Sequence, residues 1–101
     1  MKEKVIRKLF LGFIQLHILY HAENEPVFGL WLMEELEEHG YDISAGTLYP
    51  ILHNLEKYGL LTSEEVLVEG KVRKYYRTTQ EGKEVLEMAK EKAKELIHEL
   101  K

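Results

Sequence analysis

The sequence predicts a mainly α chain with one small β-hairpin, ordered as a winged helix-turn-helix. Three observations lead there. Three segments with helical apolar spacing come first, each closed by a Pro or Gly break. Two β-prone segments then meet at Glu69-Gly70, and one long amphipathic segment ends the chain. In this order of elements, the third helix is the one that enters a DNA major groove and the hairpin is the wing that lies along the backbone.

Residues 3–22 read as the first helix, with Val5, Ile6, Leu9, Phe10, Phe13, Ile14, Leu16 and Tyr20 covering more than one face. A helix packed on one side and wet on the other does not need that much apolar surface, so part of it is expected to meet a second chain. Lys2, Lys4, Arg7 and Lys8 ahead of an apolar run resemble a secretory signal, but Gln15 and His17 interrupt the run and no small-residue cleavage motif follows. The segment is also shorter than the roughly 20 apolar residues that span a bilayer. The reading is a core or interface helix of a cytoplasmic protein without a membrane partner.

Pro26 breaks the first helix by holding Glu25 extended. The second helix runs from about Gly29 to His39, turning Leu32, Met33 and Leu36 inward, and Gly40 ends it. Ser44 is placed to cap the third, Ala45 to Tyr58, which Gly59 stops. Strands are expected over Leu60 to Val68 and Lys71 to Thr78, joined where Gly70 supplies positive φ. Thr78 with Glu81 three residues on forms a capping box for the last helix, which continues to about Leu100. Residues 1–79 are thus expected to form a winged-helix domain and 80–101 a dimerisation helix within the same structural unit.

Composition excludes several classes. The chain has 101 residues, 45% of them hydrophobic, too many for a disordered chain. It has no Cys, hence no disulfide, thiol nucleophile or Cys-ligated metal. A net charge of −4 gives no global attraction to nucleic acid. By segment, however, the charge is +3 over residues 1–19, −7 over 20–43, +1 over 44–79 and −1 over 80–101. The acidity lies on the second helix and its flanks, away from the segments placed to touch DNA.

At about 100° per residue, Leu48, Ile51, Leu52 and Leu55 form one stripe of the third helix. Gly46, Pro50, His53 and Lys57 lie opposite, flanked by Tyr49 and Asn54, with Glu56 to the side. Small groups let a helix approach a groove, and His, Asn and Tyr donate to phosphates or base edges. The bland alternative is a solvated face, which ordinarily carries more Lys and Glu. On the hairpin, Lys71 and Arg73 alternate with Val72 and share a side, suiting phosphate contacts, although charges on an edge hairpin also block strand pairing.

Gly40-Tyr41-Asp42-Ile43-Ser44, followed by Gly46-Thr47-Leu48-Tyr49-Pro50, Leu52, Leu55-Glu56 and Gly59-Leu60, closely resembles the PadR family of transcriptional regulators in its short form. Arg73-Lys74-Tyr75-Tyr76-Arg77-Thr78-Thr79 with Gly82 extends the resemblance over nearly the whole chain. The resemblance implies a homodimeric winged-helix repressor that binds operator DNA through its third helix and wing and dimerises through its terminal helices. By position, Tyr49 resembles the tyrosine that meets the phosphate backbone in this family. The chain departs from the family pattern at Gly29-Leu30, where Gly-Tyr is usual.

Together these readings assign Ser44, Thr47, Tyr49, Pro50, His53, Asn54 and Lys57 to the groove or its phosphates, and Lys71, Arg73 and Lys74 to the backbone from the wing. The last helix carries one stripe, Val85, Leu86, Ala89, Ala93, Leu96, Ile97 and Leu100, longer than a small winged domain can cover. Ile6, Phe10, Phe13, Val85, Ala89, Ala93, Leu96 and Leu100 are therefore the expected dimer contacts, and a twofold dimer predicts a palindromic operator. Some PadR-like proteins bind flat hydrophobic compounds at the dimer interface, which makes Trp31 a candidate effector contact; core packing is the bland alternative. His17 and His21 stand one turn apart, a chelating spacing, but the sequence identifies no third ligand, so packing histidines are expected and no metal or other cofactor is assigned. The rival function is a winged-helix module for protein–protein association without direct DNA binding. No nucleophile–base pair, phosphate loop or acidic pair at defined spacing supports an enzyme.

Overall fold

The structure, a computed structural model, describes residues Met1–Lys101. Its elements are α1 (Lys2–Asn24), α2 (Gly29–Glu38), α3 (Ala45–Lys57), β1 (Leu61–Val68), β2 (Lys71–Thr78) and α4 (Gln80–Leu100), in the expected order. β1 and β2 are antiparallel, running from Leu61 opposite Thr78 to Val68 opposite Lys71. Glu69 and Gly70 both take positive φ, 50° and 79°, the geometry of a two-residue turn whose twist matches its strands. Val27 extends the sheet on its other edge: its N–H donates to Tyr76 O at 3.0 Å and its carbonyl accepts from Tyr76 N at 2.7 Å.

One core joins all the elements. Ile14, Ile18, Leu19 and Ala22 of α1 meet Leu32 and Leu36 of α2, Leu48, Leu52 and Leu55 of α3, Leu61 and Tyr76 of the hairpin, and Leu86 of α4. The helices contribute residues three and four apart, as one inward stripe requires. Only the C-terminal half of α1 and the start of α4 enter this core. Val5, Ile6, Leu9, Phe10 and Phe13 of α1 and Met88, Leu96, Ile97 and Leu100 of α4 are exposed. α1 and α4 also pack on one another, and the molecule measures 51 × 31 × 23 Å.

One expected cap is displaced by a residue. Thr79, not Thr78, is the N-cap of α4, and its hydroxyl accepts from Gly82 N at 3.0 Å while donating to Gly59 O at 2.6 Å. Thr78 ends β2, and strand alternation turns its side chain inward, where the hydroxyl donates to Leu19 O at 2.7 Å. Gly82 sits where α4 crosses the start of β1; a Cβ there would overlap the Leu60 carbonyl and the Thr78 methyl. Ser44 does occupy the N-cap of α3, but its hydroxyl lies 3.3 Å from the Thr47 hydroxyl and makes no bond to a backbone N–H.

Candidate nucleic-acid interface

α3 is held by Leu48, Leu52 and Leu55, which are buried, and this fixes what faces outward. Tyr49, Pro50, His53, Asn54 and Lys57 are exposed together with Gly46, while Thr47 is half-buried beside Ser44. Pro50 is accommodated inside the helix, although it has no N–H to give the Gly46 carbonyl.

Tyr49 is placed by α2. Its ring lies over Gly29, where an added Cβ would overlap the phenol, so Gly29 makes room for the tyrosine. The position where the chain departs from the family pattern is Leu30, which is exposed and lines the same cleft as Gly29 and Tyr49. Tyr49 remains 47% exposed, leaving its edge free for a ligand.

Glu56 is the only acid on α3, and it is neutralised within the fold. Its carboxylate accepts from Ser63 Oγ at 2.6 Å and pairs with Lys74 Nζ at 3.6 Å. The outward face of the helix is therefore free of unpaired negative charge. Lys74 reaches Glu56 because it alternates with Tyr76 and Thr78, on the strand face turned toward α3. Burial raises the pKa of the Tyr76 phenol above its ordinary value, opposed by the Lys74 charge beside it.

Lys71 and Arg73 alternate onto the other face of β2. The Arg73 guanidinium lies 4.1 Å from the centre of the Phe28 ring, which also meets Tyr75 edge-on at 5.4 Å. Phe28 is the N-cap residue of α2, so the side chain just ahead of one helix fixes a cation on the wing. Phe28, Gly29, Tyr49, Lys71 and Arg73 line one cleft between the wing and the α2–α3 pair. The structure thus brings Tyr49, Lys71, Arg73 and Lys74 to one cleft, with Lys74 also paired to Glu56. Phe28 escaped the sequence reading because it lies in a connection between helices, and its only sequence signal is an aromatic next to the Pro26 break.

The other candidates fall elsewhere. Ile6, Phe10, Phe13, Val85, Leu96 and Leu100 are exposed, as is Ala93, whereas Ala89 is half-buried. Trp31 packs against the core, edge-on to His21 at 5.4 Å, and lines none of the surface grooves. His17 and His21 do not stand alone. α2 brings His39 and Glu35 against them, with Glu35 Oε1 at 3.4 Å from His21 Nε2 and 3.3 Å from His39 Nε2.

No helix is long and apolar enough to cross a membrane. The profile of the Transcriptional regulator PadR-like family matches residues 18–88, from the second half of α1 into α4. The chain is 47% identical over 87 residues to "Transcriptional regulator Rv3488" of Mycobacterium tuberculosis, covering 86% of this chain and 81% of that protein. Among solved structures, a PadR family transcriptional regulator from Eggerthella lenta superposes with a TM-score of 0.84 at 37% identity, over 97% of this chain and 87% of that one. A PadR-like transcriptional regulator from Bacillus cereus does so with a TM-score of 0.83 at 30% identity, over 92% of each chain. These proteins are regulators of transcription, not enzymes, and the four helices and antiparallel hairpin are their winged-helix fold. The chain belongs to the PadR-like family of transcriptional regulators.

Proposed function

We propose that the protein is a cytoplasmic repressor that binds a palindromic operator as a homodimer, reading the major groove with α3 and gripping phosphates with the wing. The observation that carries this reading is the outward face of α3. It offers Tyr49, His53, Asn54 and Lys57, and its one acid is engaged by Ser63 and Lys74. A surface of that kind approaches a polyanion without the repulsion that the net charge of −4 suggests. Lys71, and Arg73 held against Phe28, add phosphate contacts from the side.

Dimerisation enters through the exposed apolar residues of α1 and α4, which a second copy would cover. A twofold axis would then set two α3 helices about 34 Å apart, one turn of DNA. Salt titration of duplex binding, followed by fluorescence anisotropy on the full chain, tests the reading. Binding at low salt that weakens steadily as salt rises supports it. Absence of binding at low salt, or binding indifferent to salt, favours the protein–protein module instead.

A further inference from the structure

We propose that His17 and His21 of α1 and His39 and Glu35 of α2 form a binding site for a borderline divalent transition ion of the Zn²⁺ type, which clasps the two helices together. Two i,i+4 pairs supply it. His17 and His21 stand one turn apart on α1, and Glu35 and His39 one turn apart at the end of α2. One ligating atom from each of the three histidines lies within 4.8 Å of the others. The His17 ring is stacked 6.2 Å from that of His21 and lies 4.6 Å from that of His39.

The dimensions suit a small tetrahedral ion. Bonds of about 2.0–2.1 Å place the donors of a tetrahedral Zn²⁺ site roughly 3.3 Å from one another. The Glu35 carboxylate already stands 3.4 Å from His21 Nε2 and 3.3 Å from His39 Nε2, and the imidazoles need close by about 1.5 Å at most from their 4.8 Å limit. Rotation about side-chain torsions covers that distance without moving either helix. Three imidazoles and one carboxylate favour a borderline ion over Mg²⁺ or Ca²⁺, which take oxygen donors.

Access agrees. The four side chains border a groove of about 620 Å³ between α1, α2 and α4, open enough for an ion to enter. Lys90 lines the same groove and is the one fixed cation there, but it pairs with Glu87 at 3.0 Å. Nothing in this site draws on the DNA-binding residues, so it stands whether or not the protein binds operator DNA. Phe13, Ala89 and Ala93 also border the groove and belong to the surface proposed for the dimer, so occupancy is read per chain in the assembled protein.

The test uses the full, untagged chain stripped with a chelator and then titrated with Zn²⁺ against a competing chromophoric chelator, and in parallel with Co²⁺. The expected result is one Zn²⁺ per chain and the intense visible absorption of tetrahedral Co²⁺. The thermal midpoint should rise with Zn²⁺ in the parent chain. His39→Gln and Glu35→Gln, at the more exposed and the carboxylate positions, should each weaken Zn²⁺ by at least about tenfold, since even outer-sphere partners cost that much. Both should leave the far-ultraviolet circular dichroism unchanged. His98→Gln, at the far end of α4, should leave Zn²⁺ affinity as it was. Failure of Zn²⁺ to bind at micromolar concentration overturns the proposal. So does affinity unmoved by both variants, affinity lost equally in His98→Gln, or an octahedral Co²⁺ spectrum.

Discussion

Arg73→Ala removes the wing cation that the structure fixes most firmly. Its guanidinium rests on Phe28 at 4.1 Å, so little side-chain freedom remains to be lost when it meets a phosphate. The contribution of that stacking to folding is about 0.5–1 kcal/mol, too little to unfold the domain. In the dimeric reading each operator loses two phosphate contacts, one per protomer. With about 0.9 counterions released per contact, the slope of log affinity against log salt should become shallower by about 1.8. If the contacts contribute little near 1 M salt, this amounts to roughly 30-fold weaker binding at about 0.15 M salt and roughly 200-fold at about 0.05 M. Fluorescence anisotropy at several salt concentrations, with operator and unrelated duplexes of equal length, measures both numbers. The loss should be similar on every sequence. An unchanged slope, or a loss confined to one sequence, would refute Arg73 as a phosphate contact.

Three further outcomes follow from the same contacts. Glu56→Gln keeps an acceptor for Ser63 but releases Lys74, so duplex binding should tighten at low salt and its salt slope should steepen; weaker binding in anisotropy would show that the pair does not restrain Lys74. Thr78→Val deletes the buried hydroxyl that bonds to Leu19 O at 2.7 Å, at a cost of about 1–3 kcal/mol in a denaturant titration; a change near zero would mean that this hydrogen bond does not tie β2 to α1. A paired Phe10→Glu and Phe13→Glu change puts charge on two residues that are each 43% exposed, so sedimentation should show a monomer with circular dichroism intact; a persisting dimer would move the interface elsewhere.

The order of elements was legible because each break has a local cause: Pro26, Gly40, Gly59 and the Glu69-Gly70 turn. The inward stripe of α3 was equally legible, since periodicity alone sorts Leu48, Leu52 and Leu55 from Tyr49 and His53. The cap of α4 was misplaced by one residue because Thr78 and Thr79 offer the same hydroxyl, and only strand alternation decides which one turns inward. Contacts between elements were not legible. The engagement of Glu56 by Lys74 depends on where β2 passes α3, and the seat of Arg73 on Phe28 depends on how β2 lies against the N-terminus of α2. The histidine cluster illustrates the same limit. Each i,i+4 pair can be seen in the sequence, but their meeting depends on the packing of α2 on α1, which one-dimensional spacing does not encode.

Selection of bound duplexes from a random pool by the full chain tests the central claim most directly. A dimer reading DNA through two α3 helices should enrich a palindrome whose half-sites are centred about 10 base pairs apart, or a multiple of that spacing. A single asymmetric half-site, or a pool left without enrichment at low salt, would contradict it.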